Sequence, residues 1–293
     1  MISDMPISII GGGRVGIALG ILAARAGLEV VAVGGRGKMR TKAAAKLIGK
    51  GVKALDIKEA AALGKLVFIT VSDDAILPVC SVISMADKWA PGAVVAHCSG
   101  ALSSETLQLA RQRGAQVGSM HPLQTFATID SAVDVLPGSY LFIEGDPQAV
   151  QSLTEFGWAI GGKCVPIEPK SKVMYHVAAV MACNYVASLL DAALTAGEQA
   201  GIERRTFMAA LEPLVQATVH NVLTMDVAES LTGPIVRRDI GTITTHLETI
   251  KDDLLANFYR SMGAQTIRVA IKHYLITAQE GVEMLYKMLP ASE

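Results

Sequence analysis

The hydrophobic positions of the first half of the chain alternate between short β-branched runs and helix-length stretches rich in alanine and leucine. Runs such as VVAV and LVFITV are apolar throughout, as is typical of parallel strands that are buried on both faces. This alternation predicts an α/β domain with helices on both faces of a parallel sheet. Seven strands are predicted, at residues 7–10, 29–33, 66–71, 93–97, 116–119, 140–143 and 164–167.

The second half of the chain has a different pattern, because long helical segments follow one another and no strand rhythm returns. Helices are predicted over residues 171–201, 207–226, 239–262 and 264–288. Pro166 and Pro169 mark the change of pattern. We therefore place an α/β domain in residues 1–168 and an all-helical domain in residues 169–293.

The amino-acid composition indicates which classes of partner the chain is expected to bind. The chain has 26 Lys and Arg against 27 Asp and Glu, so we expect no nucleic-acid partner. Charged residues make up 18% of the chain, against about 25% in an average soluble domain. No run reaches the roughly 18 consecutive apolar residues of a membrane span, so we expect no membrane partner. The apolar excess instead predicts a homodimer that buries part of the helical domain.

The cysteines and the N-terminus bear on location. The four cysteines, at residues 80, 98, 164 and 183, lie far apart and have no metal-ligand spacing. We therefore expect neither disulfides nor a metal site. Reduced thiols, together with an N-terminus that lacks the signal-peptide pattern, predict a cytoplasmic protein.

A glycine-rich turn follows the first predicted strand and precedes a predicted helix. Gly11, Gly13 and Gly16 have G-x-G-x-x-G spacing in the segment GGGRVG. In this context the first glycine permits a tight turn, the second lets a pyrophosphate approach the backbone, and the third lets the helix pack closely on the strand. The helix N-terminus adds amide donors and a positive dipole. We expect the whole turn, including Arg14 and Val15, to bind a dinucleotide.

The end of the second predicted strand indicates which dinucleotide. It reads Val33-Gly34-Gly35-Arg36 and lacks the acid that would bind the adenosine ribose of NAD. Between residues 30 and 55 there are seven bases and no acid. Arg36 stands where a guanidinium can bind a 2′-phosphate, which predicts NADP(H) as the cofactor. Of the lysines, we expect those at positions 46, 50 and 53 to lie on a solvated helix face.

Polar residues follow three further strands at the sheet edge where ligands bind in such folds. They are SDD from residue 72, HCSG from residue 97 and HP from residue 121. We expect Ser72 and Ser99 near the nicotinamide, and Ser99, Gly100 and His121 near the substrate. A simple turn at Ser99-Gly100 is the alternative. Either aspartate of the SDD segment, Asp73 or Asp74, is expected to cap a helix.

The segment PKSKVMYHVAAVMACNY opens the helical half and contains the main catalytic candidates. Lys172 and His176 are four residues apart and so share one helix face, with Asn184 two turns further on. Hydride transfer to a carbonyl or an imine leaves an atom that needs a proton, which a partly buried lysine ammonium can donate. Alternatively, Lys172 is a surface lysine and His176 a structural histidine.

A second polar cluster occurs in LTGPIVRRDIGTITTHL. Arg237 is a candidate for binding the carboxylate of an acidic substrate. Asp239 either belongs to the same pocket or caps a helix.

Several of these motifs together resemble a known family. GGGRVG, TVSDDAI, HCSGA, SMHPLQTF and the Lys172 and Arg237 segments, in this order, are similar to Rossmann-like proteins whose C-terminal half is a domain of unknown function, DUF2520. These proteins are grouped with NADP oxidoreductases of the coenzyme-F420-dependent type, and with dehydrogenases that have a 6-phosphogluconate-dehydrogenase-like helical domain. The resemblance implies a Rossmann domain with extra strands, a helical dimerisation domain, and a site in the cleft between them.

The wider relatives imply roles for individual residues. In 3-hydroxyacid dehydrogenases and ketopantoate reductases a catalytic lysine is followed four residues later by asparagine. Lys172 matches that lysine, whereas His176 stands in the asparagine position, which leaves the substrate open. Ser99-Gly100 resembles the substrate loop of the hydroxyacid enzymes, and His121-Pro122 resembles a turn of prephenate dehydrogenases.

Three hypotheses of function follow from the residues and the resemblance. The leading one is an NADPH-dependent reductase of a small 2-oxo acid, with ketopantoate as the first choice. The second is a reductase of an imine, as in pyrroline-carboxylate reduction. The third is a sensor protein that binds NADP(H) without turnover.

Overall fold

The computed structural model of the chain describes residues 1–288, and an eight-stranded sheet forms its first part. The strands lie in the order β3-β2-β1-β4-β5-β6-β7-β8. Their bounds are β1 (Ile7–Ile10), β2 (Val30–Gly34), β3 (Lys53–Leu55), β4 (Leu66–Ile69), β5 (Val94–His97), β6 (Gln116–Pro122), β7 (Tyr140–Gly145) and β8 (Lys163–Pro166). The predicted α/β fold class is confirmed.

Helices connect most of these strands and make up the rest of the chain. Within the described residues they are α1 (Arg14–Arg25), α2 (Lys38–Ile48), α3 (Ile57–Leu63), α4 (Asp73–Met85), α5 (Gln108–Arg111), α6 (Ile129–Val135), α7 (Pro147–Ala159), α8 (Lys172–Ala182), α9 (Asn184–Gln199), α10 (Arg204–Met225), α11 (Val227–Ser230), α12 (Ile240–Thr249), α13 (Asp253–Lys272) and α14 (Ala278–Met288). Single 3₁₀ turns occupy Ile2–Asp4, Ser104–Leu107 and Pro169–Ser171.

The chain divides into two compact units, the first over residues 1–184 and the second from Tyr185 onward. In the first unit, alternate residues of the central strands pack on opposite faces of the sheet. Phe68 of β4 belongs to the core shared with α1 and α7, whereas Val67 and Ile69 belong to the core shared with α3 and α4. Helices therefore cover both faces, as the apolar strands predict. The predicted domain division after residue 168 falls inside the first unit and stays a prediction.

One strand pairing differs from the parallel sheet predicted from the sequence. β7 runs antiparallel to β6, so that Pro122 lies opposite Leu141 and Ser119 opposite Glu144. The connection of residues 123–139 contains only the short α6 and returns the chain beside the end of β6, which produces an antiparallel pair. Because apolar periodicity is the same for both directions, the sequence pattern did not distinguish them.

Two short elements escaped the sequence analysis. β3 is a three-residue edge strand that pairs with β2, and it contains Lys53, which we had expected on a helix face. Lys50 lies in the turn that precedes it, outside α2 as well. α11 is a single helical turn whose start is capped by Asp226. Such short elements contain too few residues to show a period.

The predicted long helix over residues 171–201 is interrupted at Cys183. This residue has φ −121° and ψ −70°, so α8 ends at Ala182 and α9 begins at Asn184. The predicted helical spacing between His176 and Asn184 therefore does not apply. Further on, α12 ends at Thr249 and α13 runs from Asp253 to Lys272, so the predicted break near residue 263 is also wrong.

The second unit has its own core, formed by α12, α13 and α14 together with Ile235. By contrast, α10 buries none of its 22 residues. Leu214 and Leu223 on this helix are 63% and 79% exposed. The low charge content of the chain predicts exposed apolar surface, and α10 provides such a surface.

One stretch, Pro169–Gln199, is long and apolar enough by composition to cross a membrane, with a mean hydropathy of 1.7. Only 6% of its most apolar window is buried within the chain. This criterion averages hydropathy over a window and therefore tolerates Asn184 and Ser188. The sequence prediction counted consecutive apolar residues, and these two polar residues interrupt that count. The absence of a membrane partner therefore stays a prediction.

Candidate functional site

The glycine turn after β1 has the geometry that a dinucleotide-binding turn needs. Gly11 has φ +111°, and a Cβ there would lie 2.6 Å from the carbonyl oxygen of Thr70. A Cβ on Gly16 would lie 2.3 Å from Thr70 Oγ1, so only glycine lets α1 pack this closely on the sheet. Gly13 precedes the first residue of α1, and the nearest atom to a Cβ there is Thr70 O at 3.7 Å. The backbone of this residue is open to a ligand.

A cavity of about 680 Å³ lies over this turn. Its walls come from the glycine turn, the end of β2, the start of α2 and the segment after β4, and they include Arg14, Arg36, Arg40 and Ser72. Three of the predicted cofactor residues, Val15, Gly16 and Ser99, do not line it. Val15 packs against the core of the first unit, and Ser99 is bonded elsewhere.

Two arginines give one end of this cavity positive charge. Arg36 and Arg40 are exposed, and within residues 1–288 neither forms an ion pair. Gly37 precedes α2 and makes no side-chain cap, so the free amides of the first turn add to the positive potential. Arg40 is one of the seven bases between residues 30 and 55, and the glycine-turn spacing gave no reason to expect it in the cavity. Its position in the first turn of α2 separates it from Lys46, which lies in the last turn.

Arg14 has a structural contact besides its place in the cavity. Its guanidinium donates a 3.0 Å hydrogen bond to the carbonyl oxygen of Phe126. The start of α1 is thereby tied to the connection between β6 and β7.

In the segment after β4, the predicted helix cap by Asp73 or Asp74 is wrong. Ser72 is the residue that precedes α4, and it makes no side-chain cap, while Asp73 is the first helical residue. Neither Asp73 nor Asp74 is therefore the cap that we expected. Instead the Asp73 carboxylate accepts a 2.7 Å hydrogen bond from Ser99 Oγ. The helix N-terminus and the loop after β5 are joined through this bond.

Ser99 uses its hydroxyl within the fold. Besides donating to Asp73, its Oγ accepts hydrogen bonds from the backbone N–H groups of Ala101 and Leu102. Its own N–H donates to His97 Nδ1 at 3.2 Å. This is the turn that was the alternative to a ligand-binding role. Gly100 follows, and it is the residue next to the histidines described below.

Lys172 lies inside the first unit and is not a surface lysine. Its side chain is 1% exposed, and Nζ donates hydrogen bonds to the carbonyl oxygen of Ser99 at 2.8 Å and to Ser119 Oγ at 2.6 Å. Burial lowers the pKa of this amine from 10.5 to about 8, against an opposing effect from nearby Glu144. A lysine with such a pKa can act as an acid near neutral pH.

Glu144 is a buried acid that the sequence analysis missed. It lies on β7, opposite Ser119, and its carboxylate accepts hydrogen bonds from Ser119 Oγ and from both the N–H and the hydroxyl of Ser104. Lys172 Nζ lies 3.9 Å from its Oε1. An acid within the apolar run YLFIEG is the signal that could have identified it, because buried charges are seldom unpaired.

Two histidines meet beside Gly100. His121 Nδ1 shares a 2.9 Å hydrogen bond with the Tyr175 hydroxyl, and its ring centroid is 5.8 Å from that of His176. A Cβ on Gly100 would lie 2.5 Å from His176 Nδ1 and 2.9 Å from His121 Nε2. Within the described residues, the buried Nδ1 of His176 has no hydrogen-bond partner. Lys172, His121 and His176 are thus brought together, as their predicted common role requires.

Burial keeps the imidazoles of His121 and His97 neutral near pH 7. Burial lowers the pKa of His121 to about 4, and the positive charge of Lys172 adds to the effect. Burial likewise lowers the pKa of His97 to about 4, while its ring bonds to Ser99 N and Ser103 O. Burial raises the pKa of Tyr175 to about 12, so the phenol keeps its proton.

Of the remaining predicted residues, Asn184 ends the first unit, while Arg237 and Asp239 belong to the second. Asn184 is the exposed first residue of α9. In the second unit, Asp239 caps α12 by accepting hydrogen bonds from the N–H and the hydroxyl of Thr242, which is the capping alternative. Arg237 beside it is exposed. A substrate role for Arg237 and Asp239 stays a prediction, and among residues 1–288 no group of three side chains suits a metal ion.

Comparison with family models places both halves of the chain. Residues 2–122 match a Rossmann-like domain, and residues 139–266 match the domain of unknown function DUF2520. The chain carries a Rossmann-like domain followed by a DUF2520 domain. The resemblance seen in the motifs is thereby confirmed, and the Lys172 and Arg237 segments both lie within DUF2520. No protein of curated function matches the chain.

Solved structures with the same fold cover nearly the whole chain. A provisionally assigned NADP oxidoreductase from Bacteroides fragilis is 22% identical, with a TM-score of 0.72 over 89% of this chain and 98% of its own. A protein from Thermotoga maritima is 23% identical, with a TM-score of 0.72 over 92% and 99%. An imine reductase from Myxococcus stipitatus, solved with NADP+, is 16% identical, with a TM-score of 0.58 over 96% and 92%. At these identities the likeness shows the fold.

Proposed function

We propose that this protein is an NADPH-dependent reductase that transfers hydride to a small 2-oxo acid, with ketopantoate as the first substrate to test. The observation that carries the proposal is the buried Lys172, whose pKa of about 8 suits proton donation, beside two histidines and at the edge of a nucleotide-binding sheet. The printed name of the Bacteroides fragilis protein, an NADP oxidoreductase, supports the same class of reaction.

The cavity over the glycine turn fits a dinucleotide with an adenosine 2′-phosphate. Gly13 leaves its backbone open, and the first turn of α1 offers free N–H groups to a pyrophosphate. Arg36 and Arg40 are free to bind a phosphate dianion, and among the described residues 1–288 no carboxylate lines this cavity to repel it. When bound here, NADPH supplies the hydride.

The chain's own residues supply the proton and the orientation. Lys172 is the general acid of the proposal, since its ammonium has a third N–H beyond the two that bond Ser99 and Ser119. Because the side chain is 1% exposed, residues that enclose it have to move for a substrate to reach Nζ. The neutral His121 and the unpartnered Nδ1 of His176 orient the carbonyl and carboxylate of the substrate, with Asn184, Arg237 and Asp239 as further candidates.

A direct test follows NADPH oxidation by absorbance with a panel of 2-oxo acids and cyclic imines. We expect turnover with a 2-oxo acid, and a loss of kcat of about 100-fold or more in Lys172→Met, which removes the amine but keeps an unbranched side chain only one atom shorter. Lys170→Met, in the exposed turn before α8, is the matched control and should keep full activity. Full activity of Lys172→Met would remove Lys172 from the mechanism.

Imine reduction is the second candidate, and the names of structural neighbours favour it. Solved imine reductases share the fold, including one from Streptomyces aurantiacus with a TM-score of 0.61 at 15% identity. In the same panel, turnover of cyclic imines without turnover of 2-oxo acids would select this candidate. The Lys172 ammonium would then protonate the nitrogen or hold it protonated.

A dinucleotide sensor is the third candidate, and the enclosure of Lys172 favours it. A 1% exposed ammonium that bonds a loop carbonyl can hold the fold together without meeting a substrate. Tight NADPH binding by calorimetry, together with no oxidation across the panel, would select this candidate.

The exposed apolar surface of the second unit supports the predicted homodimer. None of the 22 residues of α10 is buried, and Met208, Leu214 and Leu223 are each more than half exposed. A second copy of the chain would cover these side chains, as exposed apolar patches commonly mark interaction sites. A cytoplasmic location fits a dehydrogenase with free cysteines, and it belongs to the same proposal.

A further inference from the structure

We infer that Glu144 is a positioning residue for the proposed reaction, acting through Ser119 to hold the Lys172 side chain in place and in its protonated form. The inference deepens the proposed function and rests on it for the reaction. It does not rest on it for the ionisation of Lys172, which can be measured without substrate or cofactor.

The two hydrogen bonds of the Ser119 hydroxyl have defined donors and acceptors. Its Oγ accepts a hydrogen bond from Lys172 Nζ, so its single proton is left for Glu144, to which it donates. The Lys172 amine and the Glu144 carboxylate are therefore linked through one hydroxyl as well as by a direct separation of 3.9 Å.

Glu144 is held by donors alone, which is the pattern of an ionised carboxylate. It accepts one hydrogen bond from the N–H of Ser104, one from the Ser104 hydroxyl and one from Ser119. Its side chain is 1% exposed, as is that of Lys172. Two charges buried to this degree stabilise each other, whereas either one alone would lack a partner.

The other groups around Lys172 leave Glu144 as its nearest counter-charge. Cys98, which follows β5, is a neutral thiol, since burial raises its pKa to about 12. His97 on β5 and His121 on β6 are neutral imidazoles above about pH 4. His176 lies on the same helix as Lys172 and packs on His121. Asp73 at the start of α4 is the second acid, and it bonds to Ser99 Oγ rather than to Lys172.

Removal of the Glu144 charge should therefore change the ionisation of Lys172 in a known direction. Burial lowers the pKa of this amine, and Glu144 is the largest effect that raises it. In Glu144→Gln the desolvation remains and the opposing charge is lost. The ammonium should then lose its proton at a pH lower by at least about one unit, as expected when an opposite charge at about 4 Å is removed.

NMR of the full chain with isotope-labelled lysine measures this titration, and the Lys172 signal is identified by its loss in Lys172→Met. We expect an apparent pKa near 8 in the natural protein and a value at least about one unit lower in Glu144→Gln. Glu144→Asp keeps the charge and should restore most of the difference. An unchanged Lys172 titration in Glu144→Gln would overturn the inference.

Glu105→Gln is the matched control. Glu105 lies one residue from Ser104, and it pairs with Arg111 at the surface rather than with Lys172. It should leave the Lys172 titration unchanged. A shift as large as that of Glu144→Gln would mean that loss of any nearby acid has this effect, and would also overturn the inference.

The catalytic part of the inference has its own measurement. With a substrate found in the NADPH oxidation panel, kcat should fall at high pH as Lys172 loses its proton, and this decline should move to lower pH in Glu144→Gln. A lower kcat with an unmoved pH profile would reduce Glu144 to a structural role. If no substrate is found, the proposed function fails, while the NMR titration still decides the link between the two residues.

Should Glu144→Gln fold but be too unstable for a titration over a wide pH range, a double-mutant comparison of Tm near neutral pH replaces the titration. Glu144→Gln should lower Tm strongly when Lys172 is present, because it leaves the ammonium without its counter-charge. The same change in a Lys172→Met background should lower Tm by less than half as much. Equal losses of Tm in the two backgrounds would overturn the inference.

Discussion

The Thr70 hydroxyl donates a 2.8 Å hydrogen bond to the carbonyl oxygen of Gly11. This bond joins the end of β4 to the turn after β1, its neighbour in the sheet. The same threonine is the nearest neighbour of any Cβ added to Gly11, Gly13 or Gly16. One residue, directly after the adjacent strand β4, is therefore the nearest limit on the space around all three glycines of the turn.

Gly13 and Gly16 should respond differently to the same added methyl group. In Gly16→Ala the Cβ would lie 2.3 Å from Thr70 Oγ1 and 2.5 Å from the Gly11 carbonyl oxygen. Overpacking of this kind costs about 1–3 kcal/mol of unfolding free energy, which urea titration measures. In Gly13→Ala the nearest atom is 3.7 Å away, so stability should be kept. NADPH affinity should fall instead, because the methyl group projects where the pyrophosphate is proposed to lie.

Gly13→Ala and Gly16→Ala serve as experimental controls for each other. Equal losses of stability would mean that Gly13 has a folding role that the geometry does not show. Unchanged NADPH affinity in a folded Gly13→Ala would remove the pyrophosphate from this turn.

Arg36 and Arg40 should determine the preference for NADPH over NADH. Each can form a charge-assisted hydrogen bond to the 2′-phosphate, worth about 1.5–3 kcal/mol. Arg36→Ala is therefore expected to weaken NADPH binding by about tenfold or more and NADH binding much less, and Arg40→Ala should act in the same direction. Calorimetry with both cofactors measures the difference. Lys46→Ala, on the same helix but outside the cavity, should change neither affinity.

The acid stability of the protein should depend on His97. Its pKa falls from 6.5 to about 4 on folding, chiefly because the ring is buried. The unfolded chain therefore binds the extra proton between these values, and stability should decline as the pH falls from about 6.5 to 4. The full effect for this one residue is on the order of 3 kcal/mol. Urea titrations at several pH values measure it.

His97→Gln cannot take up the proton and should make this decline smaller, while the decline that is due to His121, whose pKa is also lowered to about 4, remains. His220→Gln, at an exposed position on α10, should leave the profile unchanged. A natural protein whose stability does not change between pH 6.5 and 4 would contradict the assignment.

The exposed face of α10 should control association. We expect the natural chain to sediment as a dimer at micromolar concentration. Leu223→Lys should weaken the dimer by about tenfold or more, since a leucine side chain contributes about 1.5–3 kcal/mol when buried. Leu47→Lys, at a 54% exposed leucine on α2, is the matched control and should remain dimeric. A monomer in the natural protein would end the dimer proposal.

The sequence identified the fold more fully than the site. The strands β1, β2, β4 and β5 were found to within two residues, because fully buried parallel strands leave continuous apolar runs. The apolar pattern did not indicate the direction of β7, since that direction depends on the path that residues 123–139 take from β6 to β7. The break at Cys183 was also hidden, because neither proline nor glycine lies near it in the sequence.

The candidate site, like the fold, was predicted only in part from the sequence. The i, i+4 spacing of Lys172 and His176 indicated a shared pocket, and the structure brings both beside Gly100. The spacing contained no sign that Lys172 is enclosed, because burial depends on which strands meet the helix. Glu144 is separated from Lys172 by 28 positions, and only the antiparallel pairing with β6 brings it opposite Ser119.

The antiparallel strand also determines where the nucleotide-binding part of this chain can be cut. A fragment that stops at residue 168 would retain Glu144 in the interior and discard Lys172, the cation that faces it at 3.9 Å. A fragment that stops at residue 184 would keep both and would coincide with the end of the first compact unit. An expression plasmid for the isolated cofactor domain should therefore include α8, even though the family model for the Rossmann-like domain ends at residue 122.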